Sequence, residues 1–287
     1  MIKIRNWGLT PIYTLALSLS LAGCMRVWTW GEQPAATTHD NLGGPAQQAE
    51  SLQAASRLLA PTGVLRVGVY SGSPTSLVKV KGERYGIAFE LGHALGHELG
   101  VPVQIVEFPR VAEVIQAISN GKVDFTFTNA SVARAKRVDF TPALVRLELG
   151  VLVAQDSPLK STQDMDRAGL RLGVSQGSTS EAILGASLKQ TQIMPQPSLA
   201  VARQALQSGE LDAFATNKGI LFELADQLPR HRILPDAWGH EQLAIAIPQG
   251  RALAMPWLRD WAQLRVTKGQ VNAMAQRAGL RGLAATP

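Results

Sequence analysis

The chain has 287 residues, of which 46% are hydrophobic and 17% charged, and its formal net charge at pH 7 is +6. That length is sufficient for two lobes with substantial cores. The basic residues are scattered, without a Lys/Arg block or interleaved aromatic side chains, so the composition argues against nucleic acid as a partner.

The first 23 residues have the pattern of a bacterial export signal. Lys3 and Arg5 give a positive start, and the apolar run over 9–21 is too short to span a membrane. The run leads into Leu-Ala-Gly-Cys, which resembles the lipobox of bacterial lipoproteins, and Cys24 is the only cysteine in the sequence. We therefore expect cleavage before Cys24, lipidation of its thiol and a membrane-anchored protein that faces the periplasm. The alternative is an ordinary cleaved signal with a coincidental cysteine.

A tether and a helix are predicted between the signal and the first lobe. Residues 25–44 contain several Gly and Pro residues and small polar residues without periodicity, which indicates a flexible membrane tether. Residues 46–59 have helical spacing and precede a Pro-Thr-Gly turn. We expect this helix to lead into the first lobe and to pack on it.

The chain then alternates strands and helices. Runs rich in β-branched residues at 64–70, 101–108 and 123–127 predict strands, and the segments 86–99 and 110–119 between them predict helices. This β-α-β-α-β order predicts an α/β fold with a mainly parallel sheet that is covered by helices.

Two polar residues come after these strands, at the ends where open α/β sheets bind ligands. Ser73 lies in the hydroxyl-rich loop after the first strand, and Arg110 comes after the second strand. Both are candidate ligand contacts; the alternatives are a polar turn for Ser73 and the surface of a helix start for Arg110. His93 and His97 lie one turn apart on the polar face of a helix, which indicates a solvated surface, so we expect no metal and no cofactor.

One stretch combines a strand, helix-capping residues and basic side chains. After the strand at 123–127, Asn129 and Ser131 can cap a short helix that carries Arg134. A strand that runs into a capped helix directs free backbone N–H groups at one point, which favours an anion. The guanidinium of Arg134 adds a planar fork that fits a carboxylate. The alternative is that Arg134 is one more solvated basic residue.

The order of strand, Ser, two residues, Arg, further basic residues and Val-Asp-Phe resembles the bacterial extracellular solute-binding proteins of family 3, the amino-acid-type binding proteins of ABC importers. In that family the hydroxyl and the arginine hold the carboxylate of the ligand, which implies these roles for Ser131 and Arg134. The resemblance covers about 61–278. It implies a two-lobed type II periplasmic-binding-protein fold, in which each lobe has a mainly parallel, helix-covered sheet and two strands cross between the lobes.

The rest of the chain fits the second lobe of this fold and the return to the first. Strands are predicted at 149–154, where the chain crosses, and at 170–175, inside the second lobe. Ser178 and Thr179 begin the next helix and match the second-lobe carboxylate contacts of the family. A strand at 241–248 returns the chain to lobe 1, where we expect the terminal helices, at 255–266 and 270–279, to pack. The predicted domains are a lipoprotein signal at 1–23, a tether and lead-in helix at 24–60, lobe 1 at 61–150 and 243–287, and lobe 2 at 151–242.

The sequence departs from the family at the residues that meet the amine of the ligand. Most relatives that bind α-amino acids carry an Asp where this chain has Asn217, with Lys218 next to it. An amide cannot neutralise a buried ammonium. Arg134, Lys218 and Arg110 therefore predict a cationic cleft that selects a small anionic solute; an amino acid held by backbone carbonyls is the alternative.

The leading interpretation is a monomeric solute-binding lipoprotein of an ABC-type importer, whose closed form is recognised by an inner-membrane permease. A ligand-sensing module without a permease is one alternative. An enzyme resembling cyclohexadienyl dehydratase is another, and it would need an acid or base in the cleft. His240 and Glu241 are the best candidates for that role, and we expect both to lie at the surface.

Overall fold

A computed structural model describes residues 44–284. The predicted signal peptide, the lipidation of Cys24 and the predicted tether up to residue 43 lie outside the described residues. Over 44–284, the structure has no helix with the length and apolar character needed to cross a membrane.

The first half of the described chain carries an N-terminal helix and two β-α units. Its helices are α1 (Pro45–Leu59), α2 (Ile87–Leu99), α3 (Val111–Ser119) and α4 (Val132–Ala135). Its strands are β1 (Leu65–Tyr70), β2 (Val78–Val80), β3 (Glu83–Tyr85), β4 (Val103–Phe108), β5 (Thr126–Asn129) and β6 (Val138–Phe140).

The second half contains two long strands, a second set of β-α units and two terminal helices. Its strands are β7 (Val145–Ala154), β8 (Arg171–Ser175), β9 (Gln192–Gln196), β10 (Ala213–Asn217), β11 (His231–Ile233) and β12 (Gly239–Pro248). Its helices are α5 (Thr179–Ser187), α6 (Leu199–Ser208), α7 (Lys218–Gln227), α8 (Met255–Thr267) and α9 (Gln270–Arg277), with short 3₁₀ turns at Thr162–Met165 and Ala252–Ala254.

Parallel strands form the centre of each lobe, as the sequence predicts. In lobe 1, β1 pairs in parallel with β4, and Val67 forms a parallel bridge with Phe125 just before β5. In lobe 2, β8 pairs in parallel with both β9 and β10.

The long strands β7 and β12 connect the two lobes. They pair antiparallel with each other, from Gly239 opposite Leu149 to Leu243 opposite Val145. Beyond this pairing β12 continues antiparallel to β5 and β6, whereas β7 continues antiparallel to β10 and β11. The described residues therefore form the predicted two-lobed α/β fold, with the two crossing strands in contact at its middle.

The terminal helices contribute to the core of lobe 1. Leu258, Trp261 and Met274 belong to the same buried cluster as Val67 and Phe125. This packing agrees with the sequence prediction, since the apolar residues of α8 and α9 need a partner surface and lobe 1 supplies it.

Four elements of the structure were not predicted from the sequence, namely three short strands and helix α7. The strands β2, β3 and β11 have three residues each, too few to show an alternating pattern. Helix α7 begins where the sequence predicts ligand residues. Asn217 is the N-cap of that helix, and its Oδ1 accepts a hydrogen bond from the backbone N–H of Ile220.

Candidate functional site

A narrow cavity of about 30 Å³ lies between the two lobes, beside the crossing strand β12. Both lobes line it with polar side chains. From lobe 1 come Tyr70, Thr75, Arg110, Thr128, Asn129 and Arg134, from lobe 2 Ser178, Thr216 and Asn217, and from β12 Glu241.

Arg134 is the buried cation of this cavity. It is 9% exposed, and its Nη1 donates to Thr128 Oγ1 at 2.9 Å and to the backbone oxygen of Asn129 at 3.3 Å. Among the described residues, it forms no ion pair. Burial lowers the pKa of this guanidinium, and the charge of Glu241 opposes that change. A guanidinium has five N–H donors, so most of its donors remain for another group.

Ser131 differs from its predicted position as a ligand contact. Its Oγ accepts a hydrogen bond from the backbone N–H of Arg134 at 3.3 Å, and Ser131 is not among the residues that line the cavity. As N-cap of the four-residue helix α4, Ser131 orients the turn that carries Arg134. In this geometry Ser131 therefore positions the arginine.

The predicted hydroxyls of lobe 2 have different surroundings. Ser178 lines the cavity and caps α5 through a hydrogen bond from the backbone N–H of Glu181 at 3.1 Å. Thr179 does not line the cavity; its Oγ1 accepts a hydrogen bond of 3.2 Å from Asn129 Nδ2. Because Asn129 belongs to lobe 1, this bond links the two lobes across the cleft.

Ser73 lies behind the cavity wall. It is fully buried and shares a hydrogen bond of 2.8 Å with the hydroxyl of Thr75, which does line the cavity. In this geometry Thr75, and not Ser73, is the hydroxyl of this loop that lines the cavity.

Arg110, a candidate ligand contact, lines the cavity from the start of α3. Its Nη2 forms an ion pair with Glu113 Oε1 at 3.1 Å, and its side chain is 29% exposed. Its Nε is buried without a hydrogen-bond partner in the described part of the chain. Arg110 is therefore a second cation at the cavity, partly neutralised by its neighbour.

Lys218 is not the cleft cation that the sequence predicted. Its Nζ forms an ion pair with Glu148 Oε2 at 2.7 Å and donates to the backbone oxygen of Pro235 at 3.1 Å. Lys218 is absent from the cavity wall, whereas its neighbour Asn217 lines it. The first turn of α7 directs the two side chains to different surroundings, and β7 supplies the partner of the lysine.

Glu241 is the cavity residue that sequence reasoning places wrongly. Its Oε2 accepts a hydrogen bond from Asn217 Nδ2 at 3.0 Å. Burial raises the pKa of this carboxyl, and the charge of Arg134 and the hydrogen bond from Asn217 oppose that change. The expected surface position is wrong for Glu241 and correct for His240, which is exposed. Strand alternation was the available signal, since Glu241 and Leu243 are two residues apart and both line the cavity.

The cavity therefore contains charges of both signs, with Arg134 and Arg110 on the lobe 1 side and Glu241 on the crossing strand. The sequence predicts a net cationic cleft, and the structure adds the carboxyl of Glu241 to the two arginines of the cavity wall. Within residues 44–284, no cluster of three or more His, Cys, Asp and Glu residues has the arrangement of a metal site.

Comparison with solved structures agrees with the fold. The crystal structure of an ancestral amino acid-binding protein, a precursor of cyclohexadienyl dehydratase, is similar with a TM-score of 0.68 and 27% sequence identity. The similarity covers 77% of this chain and 98% of that one.

Similarity also extends to curated sequences. A glutamine-binding protein of Geobacillus stearothermophilus is 27% identical over 133 residues, which are 46% of this chain and 50% of that protein. The ABC transporter glutamine-binding protein GlnH of Bacillus subtilis (strain 168) is 26% identical over 140 residues, or 48% of this chain and 51% of that protein. The chain thus spans about half the length of these two relatives. Residues 65–276 match the family model of the bacterial extracellular solute-binding proteins, family 3. The chain belongs to the bacterial extracellular solute-binding proteins, family 3.

Proposed function

We propose that this chain is the solute-binding component of an ABC-type importer, and that it captures a small amino acid in the cleft between its lobes. The observation that carries the proposal is the buried guanidinium of Arg134, which lines the cavity and has only neutral acceptors among its hydrogen-bond partners.

A carboxylate is the ligand group that this environment favours. Removing a charged group from water is costly unless an opposite charge and hydrogen bonds replace the water. Thr128 and Asn129 supply two neutral acceptors, and among the described residues Glu241 forms no ion pair with Arg134. A carboxylate can accept two parallel hydrogen bonds from the guanidinium fork.

The charges of the cavity wall suit an amino acid better than a solute that carries only negative charge. The sequence argument for an anion depended on a cleft without an acid, and Glu241 now provides one. The names of the relatives are consistent with this choice, since they describe glutamine-binding proteins and an ancestral amino acid-binding protein.

Closure of the lobes would hold the ligand and signal its capture. The hydrogen bond between Asn129 and Thr179 joins the lobes, and the cavity of about 30 Å³ is far smaller than a typical ligand pocket of about 300–1,000 Å³. The lobes must open to admit a ligand, and hinge closure around it creates the form that a permease can recognise. Lipid anchoring at Cys24, a periplasmic location and a monomeric state are part of the same proposal.

A thermal-shift screen of the purified protein tests this function. The screen contains the common amino acids, their deaminated analogues and small organic anions. A ligand at a hundred times its dissociation constant should stabilise the fold by about 2.7 kcal/mol, which raises the melting temperature. Arg134→Ala should abolish the shift, and the matched control Arg137→Ala, at an exposed arginine three residues away, should retain it. Equal shifts in both variants would contradict the assignment.

Catalysis is a second candidate because a carboxyl with a raised pKa lines the cleft, the property of a general acid. We propose that Glu241 binds and does not catalyse. The protein incubated with a hydroxylated cyclohexadienyl acid should form no aromatic product by absorbance. Turnover that disappears in Glu241→Gln would establish an enzyme instead.

A further inference from the structure

The carboxylate of Glu241 is held in a fixed orientation at the cavity. Glu241 lies on β12, and its Oε2 is held by Asn217 at the end of β10. The amide of Asn217 is fixed at both ends, because its Oδ1 accepts the backbone N–H of Ile220 at 3.1 Å. The carboxylate is therefore oriented by a rigid neighbour. Among the described residues, no side chain donates a hydrogen bond to its Oε1.

We infer that Glu241 is the residue that binds the ammonium group of the ligand, in place of an acid at position 217. This inference rests on the proposed function and deepens it, since it makes the ligand a zwitterion with a protonated amine. Its carboxylate would contact Arg134 and its ammonium Glu241.

Asn217 cannot perform this task by itself. A neutral amide does not neutralise an ammonium that is removed from water. Asn217 also lies at the N-terminus of the ten-residue helix α7, where the helix dipole is positive and disfavours a cation. A carboxylate at this point offsets both effects, and β12 places Glu241 within hydrogen-bond distance of the cap.

The other groups around Glu241 leave it as the anionic member of the cavity wall. Facing it are Arg134 from lobe 1, the phenol of Tyr70 from β1 and the amide of Asn217 from lobe 2, with Arg110 at the start of α3. Glu113, which is paired with Arg110, does not line the cavity. An ammonium that enters the cleft therefore meets one carboxylate on the same cavity wall as the guanidinium that would take the carboxylate of the ligand.

The test compares Glu241→Gln with the control Glu148→Gln by isothermal titration calorimetry. Both substitutions remove one carboxylate from a crossing strand, and Glu148 lies outside the cavity, paired with Lys218. The probes are the amino acid that gives the largest shift in the screen and its deaminated analogue. Glu241→Gln should weaken the amino acid by roughly 10- to 100-fold and leave the analogue unchanged or tighter. The control should keep the wild-type preference.

A double variant separates loss of charge from loss of shape. In Asn217→Asp combined with Glu241→Gln, the acid and the amide exchange places, and the hydrogen bond between them can form in the opposite direction. Partial recovery of amino acid affinity in the double variant supports a requirement for one carboxylate at this point. If the double variant folds but does not recover affinity for the amino acid, the negative charge is not what Glu241 contributes to binding. That result overturns the inference.

Proton release provides an independent readout. An ammonium next to Glu241 stabilises its ionised form, so binding should release protons near the raised pKa of this carboxyl, and the observed enthalpy should depend on the ionisation enthalpy of the buffer. That dependence should vanish in Glu241→Gln. If the wild type binds amino acids but Glu241→Gln binds them within twofold, this inference is overturned and the proposed function stands. If the wild type binds no amino acid, both are overturned.

Discussion

The two lobes contain a similar short segment, and the two copies differ in burial and in the helix that follows them. Residues 117–129 in lobe 1 and 205–217 in lobe 2 have Ala, Gly, Asp, Thr and Asn at matching positions. Each segment leaves a helix through a glycine with positive φ, passes an aspartate and ends its strand at an asparagine. In both copies the aspartate accepts hydrogen bonds from the backbone N–H and the guanidinium of an arginine on the first strand of its lobe.

Burial distinguishes the two aspartates. Asp124 in lobe 1 is fully buried and is paired with Arg66 at 2.7 Å and with Arg251 at 2.9 Å. Asp212 in lobe 2 has a side chain that is 36% exposed and pairs only with Arg171 among the described residues. Arg251 lies just after β12, so the second partner exists only because the chain returns to lobe 1 after crossing. The shared sequence thus specifies an ion pair, and its surroundings decide how much that pair contributes.

The two asparagines lead into helices of different length. After Asn129 the chain forms the four-residue helix α4 and delivers Arg134 to the cavity, whereas after Asn217 the ten-residue helix α7 begins at once. Asn129 bonds to Thr179 across the cleft, and Asn217 bonds to Glu241. Equivalent positions therefore form a hydrogen bond between the lobes in one copy and hold the carboxyl of Glu241 in the other.

The largest predicted contrast is between the two aspartates. Asp124→Asn should lower the free energy of unfolding by about 3–5 kcal/mol, because it leaves two arginines without their buried anion. Asp212→Asn should cost less than about 1 kcal/mol, because that pair is exposed. Urea denaturation monitored by circular dichroism measures both values. Losses of equal size would show that burial does not separate the two copies.

The next contrast concerns the starts of helices α2 and α5. Gly86 has φ 143°, and a Cβ there would lie 2.2 Å from the backbone oxygen of Ser76, so Gly86→Ala should destabilise by about 2–3 kcal/mol. Helix α5 starts at Ser178, an ordinary side-chain cap, and Ser178→Ala should cost about 1 kcal/mol. Thermal melts of the two variants check the order, and a milder Gly86→Ala would contradict it.

Lowering the pH should remove part of the stabilisation that the Asp124 ion pairs contribute to the folded state. Burial alone would raise the pKa of this carboxyl, but the hydrogen bonds from Arg66 and Arg251 outweigh burial and hold it below its usual value. The unfolded state therefore binds this proton more readily, so the stabilisation is present above about pH 4 and is lost as the pH falls through the folded pKa. Unfolding free energies between pH 6 and 3 should fall less steeply in Asp124→Asn than in the wild type. Parallel curves would contradict this linkage.

The smallest predicted effect tests the bond between the lobes. Thr179→Val removes the acceptor for Asn129 and should weaken ligand binding by roughly 3- to 10-fold, since one hydrogen bond contributes about 0.5–1.5 kcal/mol. The control Thr62→Val alters an exposed hydroxyl far from the cleft and should have no effect. Calorimetric affinities for the ligand of the screen compare the two, and an unchanged affinity in Thr179→Val would show that this bond does not support closure.

The sequence by itself was sufficient for the secondary elements with clear periodicity. The strand predicted over 64–70 is Leu65–Tyr70, and the helices predicted over 86–99 and 255–266 are Ile87–Leu99 and Met255–Thr267. It also made Arg134 a candidate for the cleft, and the structure has Arg134 on the cavity wall.

Only the tertiary structure decided which charges meet in the cleft. Lys218 is adjacent to a cavity residue in sequence yet pairs with Glu148 on β7, whereas Glu241, distant in sequence from Arg134, lines the same cavity. The register between β12, β7 and β10 sets the face of the sheet that Glu241 and Glu148 occupy, and the first turn of α7 directs Lys218 to Glu148. Local sequence pattern determined the α/β alternation of strands and helices, and long-range strand pairing determined which carboxylate shares the cavity with Arg134.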